Sequence, residues 1–308
     1  MSPTSNDRRD FIKSAALLAL AANVPPLMAA DTLLPIKKAI PSSGERLAVI
    51  GMGTSRTFVN PNDSEFQQQL LEVLNIFFSE GGQLLDSSPM YGPAESIVGQ
   101  LLPKLDNTGD LFAATKVWTR GEQAGIEQMQ DSMRKMSAPV MDLMQIHNLK
   151  DWQTHLKTLR EWKEQGKIRY LGITTSHGRF HSELIDIMRN EPLDFVQLSY
   201  NIMDREAEQV LLPMARDKGI ATLINRPYQR GDLFSRSRGK PLPAIAQDLQ
   251  CTSWGQLFLK WILGHPAANC VIPASSKPKH VRDNMAAGFG ALPDAAQRQK
   301  ILDTFNAL

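Results

Sequence analysis

The sequence predicts one α/β domain, a (β/α)8 TIM barrel with a short N-terminal β-hairpin, spanning residues 31–308. Three observations carry that prediction. Eight short apolar runs alternate with longer amphipathic stretches from about residue 46 onward. The runs are almost continuously apolar, which suits a parallel sheet covered on both faces. No composition break, low-complexity tract or linker follows residue 45, so one domain is expected, not two.

The elements follow in order. Residues 36–46 (IKKAIPSSGER) predict a hairpin that plugs the lower end of the barrel, with Ser43 and Gly44 in its turn. The candidate strands are 47–53, 83–88, 111–116, 142–147, 169–174, 195–200, 220–225 and 270–275. Between them, 65–82, 125–137, 151–167 and 205–219 carry apolar residues at spacings of three and four, the signature of helices packed on a sheet. Asn62-Asp63-Ser64 supplies N-cap chemistry for the first of these, and Gly81-Gly82 stops it. An open, doubly wound sheet is the competing architecture. Its dinucleotide-binding form wants G-x-G-x-x-G after the first strand, and GMGTSRT (51–57) lacks the third glycine.

The first thirty residues differ from the rest. Arg8 and Arg9 precede Phe11 and Lys13, an alanine-rich apolar segment follows at 14–24, and small residues close the stretch at residue 30. The apolar segment is far shorter than the roughly 20 residues that span a bilayer, so no stable membrane insertion is expected. Residues 1–30 resemble a twin-arginine export signal, which implies the twin-arginine machinery as a partner and a periplasmic or otherwise exported location after folding. Folding before export suits a chain with two cysteines, Cys251 and Cys270, and no evident disulfide framework. The net charge of +2, without a long basic run, argues against a nucleic-acid partner.

In a barrel of this class the chemistry sits at the carboxyl ends of the strands. Strand two ends in Asp86, with Tyr91 in the following loop; strand three ends in Lys116 and strand four in His147. Three neighbouring strands therefore bring an aspartate, a tyrosine, a lysine and a histidine to one end. Carbonyl reduction needs a proton delivered to the oxygen as negative charge develops there. A tyrosine can give it, a nearby Lys+ stabilises the phenolate, an aspartate holds the lysine charged, and a histidine can orient the carbonyl. Singly, each of these residues is more often a loop cap or a local hydrogen-bond partner. At successive strand ends the bland reading loses ground.

Asp86 with the SSPMYGPAESIVGQLL that follows it (87–102), ATKVW (114–118) and DLMQIHN (142–148) resemble signatures of the aldo-keto reductase family, in order and spacing over nearly all of 36–290. The resemblance implies NAD(P)H-dependent reduction of an aldehyde or ketone, with Tyr91 as general acid, Lys116 lowering its pKa, Asp86 partnering the lysine and His147 orienting the substrate. It implies a dinucleotide bound in extended form across the barrel mouth. Gly53, Thr54 and Asp86 would lie at the nicotinamide end, and Gln197 would hold the carboxamide. Thr174 and Thr175 stand where the family has Ser and Asn, keeping a hydroxyl and losing an amide. Residues 225–234 (NRPYQRGDLF) replace the usual loop after strand seven. Arg226 or Tyr228 substitutes there for the aromatic that stacks on nicotinamide in many members, and Arg230 is the candidate for the pyrophosphate. VIPASSKPKHVRDN (271–284) resembles the adenosine-phosphate segment. Ser275, Lys277, Lys279, His280 and Arg282 gather positive charge at a helix start, while Asp283 and Asn284 match residues near the adenosine. His280 stands where the family often has arginine, and Ala274 where it has lysine. This balance favours NADP(H) over NAD(H). Trp118, beside Lys116, is expected to wall the substrate pocket.

Two other classes compete with this reading. A slow-turnover nucleotide-binding sensor is motivated by export away from the pool that recycles cofactor. A metal-dependent barrel hydrolase is motivated only by His177 and His181, four apart in HGRFH. No third ligand is evident beside that pair, so no metal is expected.

Overall fold

The computed structural model describes residues 34–308, and the export-signal reading of residues 1–30 lies outside the described residues. The chain opens with an antiparallel hairpin, β1 (Lys37–Ala39) and β2 (Arg46–Ala48), in register Lys37 to Ala48. Its turn contains Gly44 at φ 77°, a left-handed conformation that glycine adopts without a Cβ clash.

Eight parallel strands then follow in sequential order. They are β3 (Met52–Gly53), β4 (Leu84–Asp86), β5 (Phe112–Val117), β6 (Met141–His147), β7 (Ile168–Thr174), β8 (Phe195–Ser199), β9 (Ala221–Asn225) and β10 (Cys270–Val271). Parallel bridges from Ile50 to Val271 and from Gly53 to Ala274 join the last strand to the first and close the barrel. The predicted fold class is the observed one. The first barrel strand is much shorter than 47–53, however. Its leading residues pair with the hairpin, and Val49 bonds to Ile36 before the chain crosses to β10.

The helices form the outer layer: α1 (Ser64–Ser79), α2 (Ala94–Leu101), α3 (Glu122–Lys135), α4 (Trp152–Glu164), α5 (His181–Asn190), α6 (Leu211–Asp217), α7 (Asp232–Ser237), α8 (Ile245–Asp248), α9 (Trp254–Leu263), α10 (Pro278–Ala286) and α11 (Ala295–Asn306). Asp63 caps α1 by accepting from the Phe66 amide, as its sequence predicts. The helix predicted over 205–219 is a 3-10 turn (Glu206–Glu208) followed by the shorter α6. Pro213 explains the late start, since proline is tolerated in a first turn and not in a helix interior.

The barrel interior is packed. Leu84, Phe112, Leu143, Tyr170, Phe195 and Leu223 fill it, and Ile40 and Leu47 from the hairpin join the same cluster. The hairpin is thus a plug, and it is pinned below by Tyr170, whose hydroxyl donates to Glu45 at 2.6 Å and accepts from Ser43 Oγ at 2.7 Å. With the lower end sealed, chemistry is left to the upper rim. A groove of about 950 Å3 lies at the lower end, between the hairpin turn (Pro41, Ser42) and the loops entering β8 and β9. It lies at the opposite end from the strand ends that carry the candidate site, and its cations are already engaged, Arg160 with Glu191, Lys163 with Asp194 and Lys218 with the Arg189 carbonyl.

Candidate active site

Asp86 ends β4 as a buried carboxylate, and three donors converge on it. Lys116 Nζ reaches Oδ2 at 2.5 Å, while Gln145 and Gln197 donate to Oδ1 at 2.9 and 3.1 Å. These donors satisfy the oxygens of a carboxylate that burial has cut off from water. Lys116 comes from β5, is fully buried, and also donates to the Ser87 carbonyl at 2.7 Å. Burial opposes its charge, but Asp86 and Tyr91 outweigh that cost, so its pKa lies above the ordinary lysine value.

Tyr91 closes a 3-10 turn, Pro89–Tyr91, that begins immediately after β4. Ser88 caps the turn, its Oγ accepting from the Met90 amide at 3.2 Å, and Pro89 presets the first dihedral. Gly92 follows at φ 62° and ψ −121°, backbone that only glycine enters freely. The turn thereby folds the phenol back over the barrel, with Lys116 Nζ 5.2 Å from its ring centroid. Burial raises the Tyr91 pKa; Lys116 pulls it down, and Asp86 pushes it up again. The expectation of a net lowered pKa is therefore corrected: the lysine acts in the expected direction, and burial exceeds it. At neutral pH the hydroxyl keeps its proton.

His147 ends β6 and meets Tyr91 edge to face, with centroids 5.7 Å apart. Burial first, and then Lys116, hold its pKa down at about 3, so the imidazole is neutral. Its Nδ1 lies 2.8 Å from Ser88 Oγ. One lone pair of that hydroxyl is taken by the Met90 amide, and its proton is available to Nδ1. With that proton given to Nδ1, the ring's own proton sits on Nε2, the nitrogen not engaged with Ser88. Trp118 flanks the imidazole at 6.5 Å and is partly exposed.

The four predicted catalytic side chains are thus brought together, and two residues that sequence reasoning missed complete them. Gln145 braces Asp86, and Ser88 links the Tyr91 turn to His147.

The expected cofactor positions divide into braces and open groups. Gly53 sits where the barrel closes: a Cβ there would meet the Ile272 carbonyl at 3.1 Å. Thr54 braces the end of β4, its amide and hydroxyl both donating to the Asp86 carbonyl while the hydroxyl oxygen accepts from Ser87 Oγ. Gln197 spends its amide N–H groups on Asp86 and on Gln145 Oε1. Thr174 Oγ1 accepts from the Asn148 amide at 3.2 Å. Thr175 Oγ1 is buried without a partner among the described residues, and so is Arg226 Nε. Asn225, unremarked in the sequence, donates to the Thr175 carbonyl at 3.0 Å and accepts from Ser199 Oγ at 2.7 Å.

Tyr228 turns toward α10. Its hydroxyl donates to Asn284 at 2.6 Å and its ring packs on Phe234. Arg226 adopts φ 52° and its pKa is lowered, by burial first and then by Arg230. Arg230 donates to His177 Nε2 at 2.7 Å, whereas His181 faces Glu206 at 3.2 Å. The two histidines of HGRFH therefore look to different partners, and among the described residues no three His, Cys, Asp or Glu side chains are grouped to hold a metal ion.

The 275–284 segment lies at the start of α10. Ser275 Oγ accepts from the Lys277 amide, and Lys277 caps the helix ahead of Pro278. Lys279 and Lys277 add to burial in lowering the His280 pKa, a direct sign of crowded positive charge. Asp283 accepts from Ser253 and Gln256, so its carboxylate is already occupied by protein donors. Arg282 points to Glu80 at 3.6 Å and is largely exposed.

Residues 49–300 match the model of the aldo/keto reductase family. The chain belongs to that family. Among aldo-keto reductases, it is 26% identical over 283 residues to YhdN of Bacillus subtilis, covering 78% of this chain and 84% of that protein. It is 27% identical over 269 residues to a protein of Escherichia coli named NADH-specific methylglyoxal reductase, covering 70% and 81%. A crystal structure of an aldo/keto reductase from Klebsiella pneumoniae, in complex with NADP and acetate, has the same fold, with a TM-score of 0.70 at 20% identity over 88% of this chain and 96% of that one. The family implies a nicotinamide dinucleotide, and the chain's own groups fit one. Thr175 Oγ1 and Arg226 Nε are buried polar atoms waiting for a partner, and α10 opens with a cationic turn.

Proposed function

We propose that the protein reduces aldehydes or ketones to alcohols with a nicotinamide dinucleotide, NADPH in preference to NADH, and that it does so after export. The observation that carries this reading is the buried Asp86–Lys116 pair at 2.5 Å beneath Tyr91, with neutral His147 alongside. Thr175 and Arg226 would hold the cofactor through their unpaired atoms, and Ser275, Lys277 and His280 would meet its adenosine phosphate. Such a cofactor supplies a hydride when bound. Tyr91 gives its hydroxyl proton to the carbonyl oxygen, since burial keeps that proton in place at neutral pH. Lys116 stabilises the phenolate left behind, and Asp86 keeps Lys116 charged and immobile. His147 donates from Nε2 to the same oxygen and orients it, with Ser88 fixing the tautomer. The preference for NADPH is supported by the basic start of α10 and by NADP in the Klebsiella structure; the Escherichia coli relative named NADH-specific marks the alternative.

Titration of protein fluorescence with NADPH and NADH, followed by a panel of aldehydes and ketones, tests the reading. Tighter NADPH binding and turnover of several carbonyls are expected. Tight nucleotide binding with negligible turnover across the panel would instead identify a sensor. For localisation, the R8K/R9K double variant should stay in the cytoplasm while the wild type is exported; equal export of both removes the twin-arginine reading.

A further inference from the structure

The loop that follows His147 is built to deliver a cation. Asn148, Leu149 and Asp151 all have left-handed backbone, at φ 53°, 55° and 53°. For a bulky residue such as Leu149 this conformation is costly, and it persists only where surroundings dictate it. They do so at three points. The Asn148 amide donates to Thr174, Leu149 is buried in the core, and the Asp151 carboxylate accepts from the Gly121 amide at 2.7 Å and from Thr154 at 2.9 Å. Between these anchors, Lys150 donates its amide to the His147 carbonyl and turns back toward the mouth.

Its ammonium comes to rest 4.3 Å from the centroid of the Trp118 indole. A cation on an indole face is attracted to the ring quadrupole while its outer N–H groups stay available. Trp118 is itself fastened, its amide donating to Gln128 at 2.5 Å. No carboxylate pairs with Lys150 among the described residues. The same Trp118 ring flanks His147 at 6.5 Å, so the ammonium stands one aromatic side chain away from the carbonyl-orienting imidazole.

Topology says which ligand this charge meets. Lys150 follows β6, whereas the cationic start of α10 follows β10, four strands on around the closed barrel. The two loops therefore face each other across the mouth. A dinucleotide whose phosphates lie at α10 leaves Lys150 on the substrate side.

We infer that Lys150 is a specificity-determining residue that selects carbonyl substrates carrying an anionic group, separated from the carbonyl by a spacer about the length of one aromatic ring. The ring or chain of such a substrate lies along Trp118, its carbonyl oxygen at Tyr91 and His147 and its carboxylate at Lys150. This inference rests on the carbonyl-reductase reading above and adds the substrate class to it.

The test compares 4-carboxybenzaldehyde with methyl 4-formylbenzoate, which share a carbonyl and a ring and differ in charge. The wild-type enzyme should prefer the acid. Lys150→Met should lower kcat/KM for the acid roughly tenfold, the size expected for one charge-assisted contact, mainly through KM. The ester should be unaffected, Lys150→Arg should keep the preference, and added salt should erode it. Turnover of the ester with no preference for the acid, or an equal loss on both substrates in Lys150→Met, overturns the inference and leaves the reductase reading standing. Turnover of neither substrate counts against both. A second measurement needs no turnover: terephthalate should quench the protein's fluorescence more weakly in Lys150→Met than in the wild type, and equal or absent quenching in the two overturns the inference.

Discussion

Tyr91→Phe is expected to lower kcat for carbonyl reduction by about 10²–10⁴-fold, the usual contribution of a positioned general acid, with little change in nucleotide affinity. The substitution removes one hydroxyl and keeps the ring, so the edge-to-face contact with His147 and the Lys116 ammonium beneath the ring both survive. The loss is therefore one of proton delivery and not of packing. Stopped-flow binding of NADPH and steady-state reduction, measured on the same preparation, separate the two. A variant that keeps more than a few per cent of the wild-type rate would show that water or His147 supplies the proton. The pH profile adds a second reading. Burial holds the Tyr91 pKa above its ordinary value of 10.0, so the donor stays protonated across the neutral range. Reduction should be flat there and fall only on the alkaline side. Alcohol oxidation needs the phenolate and should rise in that same range, and Tyr91→Phe should abolish both trends.

Much of this site is legible in the sequence because strand ends are legible. A run of apolar residues that stops at Asp86, Lys116 or His147 marks both the strand and the polar side chain at its mouth. What was hidden depends on register and distance. Gln145 reads as a stray polar residue inside an apolar run, and only its pairing opposite Lys116 turns it toward Asp86. Ser88 and His147 are 59 positions apart, and their bond follows from the closing of the barrel. The split between β2 and β3 was hidden for a related reason. Residues 47–53 are uniformly apolar, yet their backbone partners change from the hairpin to β10 at Val49. Side-chain pattern cannot show a change of partner. Nor can it show that burial exceeds the pull of Lys116 on Tyr91, since both effects come from the same enclosure.

Lys116→Met is expected to destabilise the protein by about 3–5 kcal/mol, because it leaves the Asp86 carboxylate buried without its cation. Gln145 and Gln197 still donate to Oδ1, but Oδ2 and the Ser87 carbonyl lose their partner. Urea unfolding of the single variants and of Asp86→Asn/Lys116→Met measures the coupling. The double variant removes both charges and should recover much of the loss, since it is the unpaired ion that is costly and not the absence of the pair. The wild-type pair also sets an alkaline limit. Lys116 titrates above its ordinary 10.5 in the folded protein, so the folded state holds this proton more tightly than the unfolded chain does. Its contribution is complete below 10.5 and is lost as pH rises through the folded pKa. Stability of the wild type should therefore decline above about pH 10.5, and the double variant should lack that component of the decline. Activity should not follow stability. If the double variant regains its fold and remains inactive in carbonyl reduction, Lys116 acts on the reaction through its charge near Tyr91. If it regains both, the lysine only holds the barrel mouth together, and the phenol needs no cation to give up its proton.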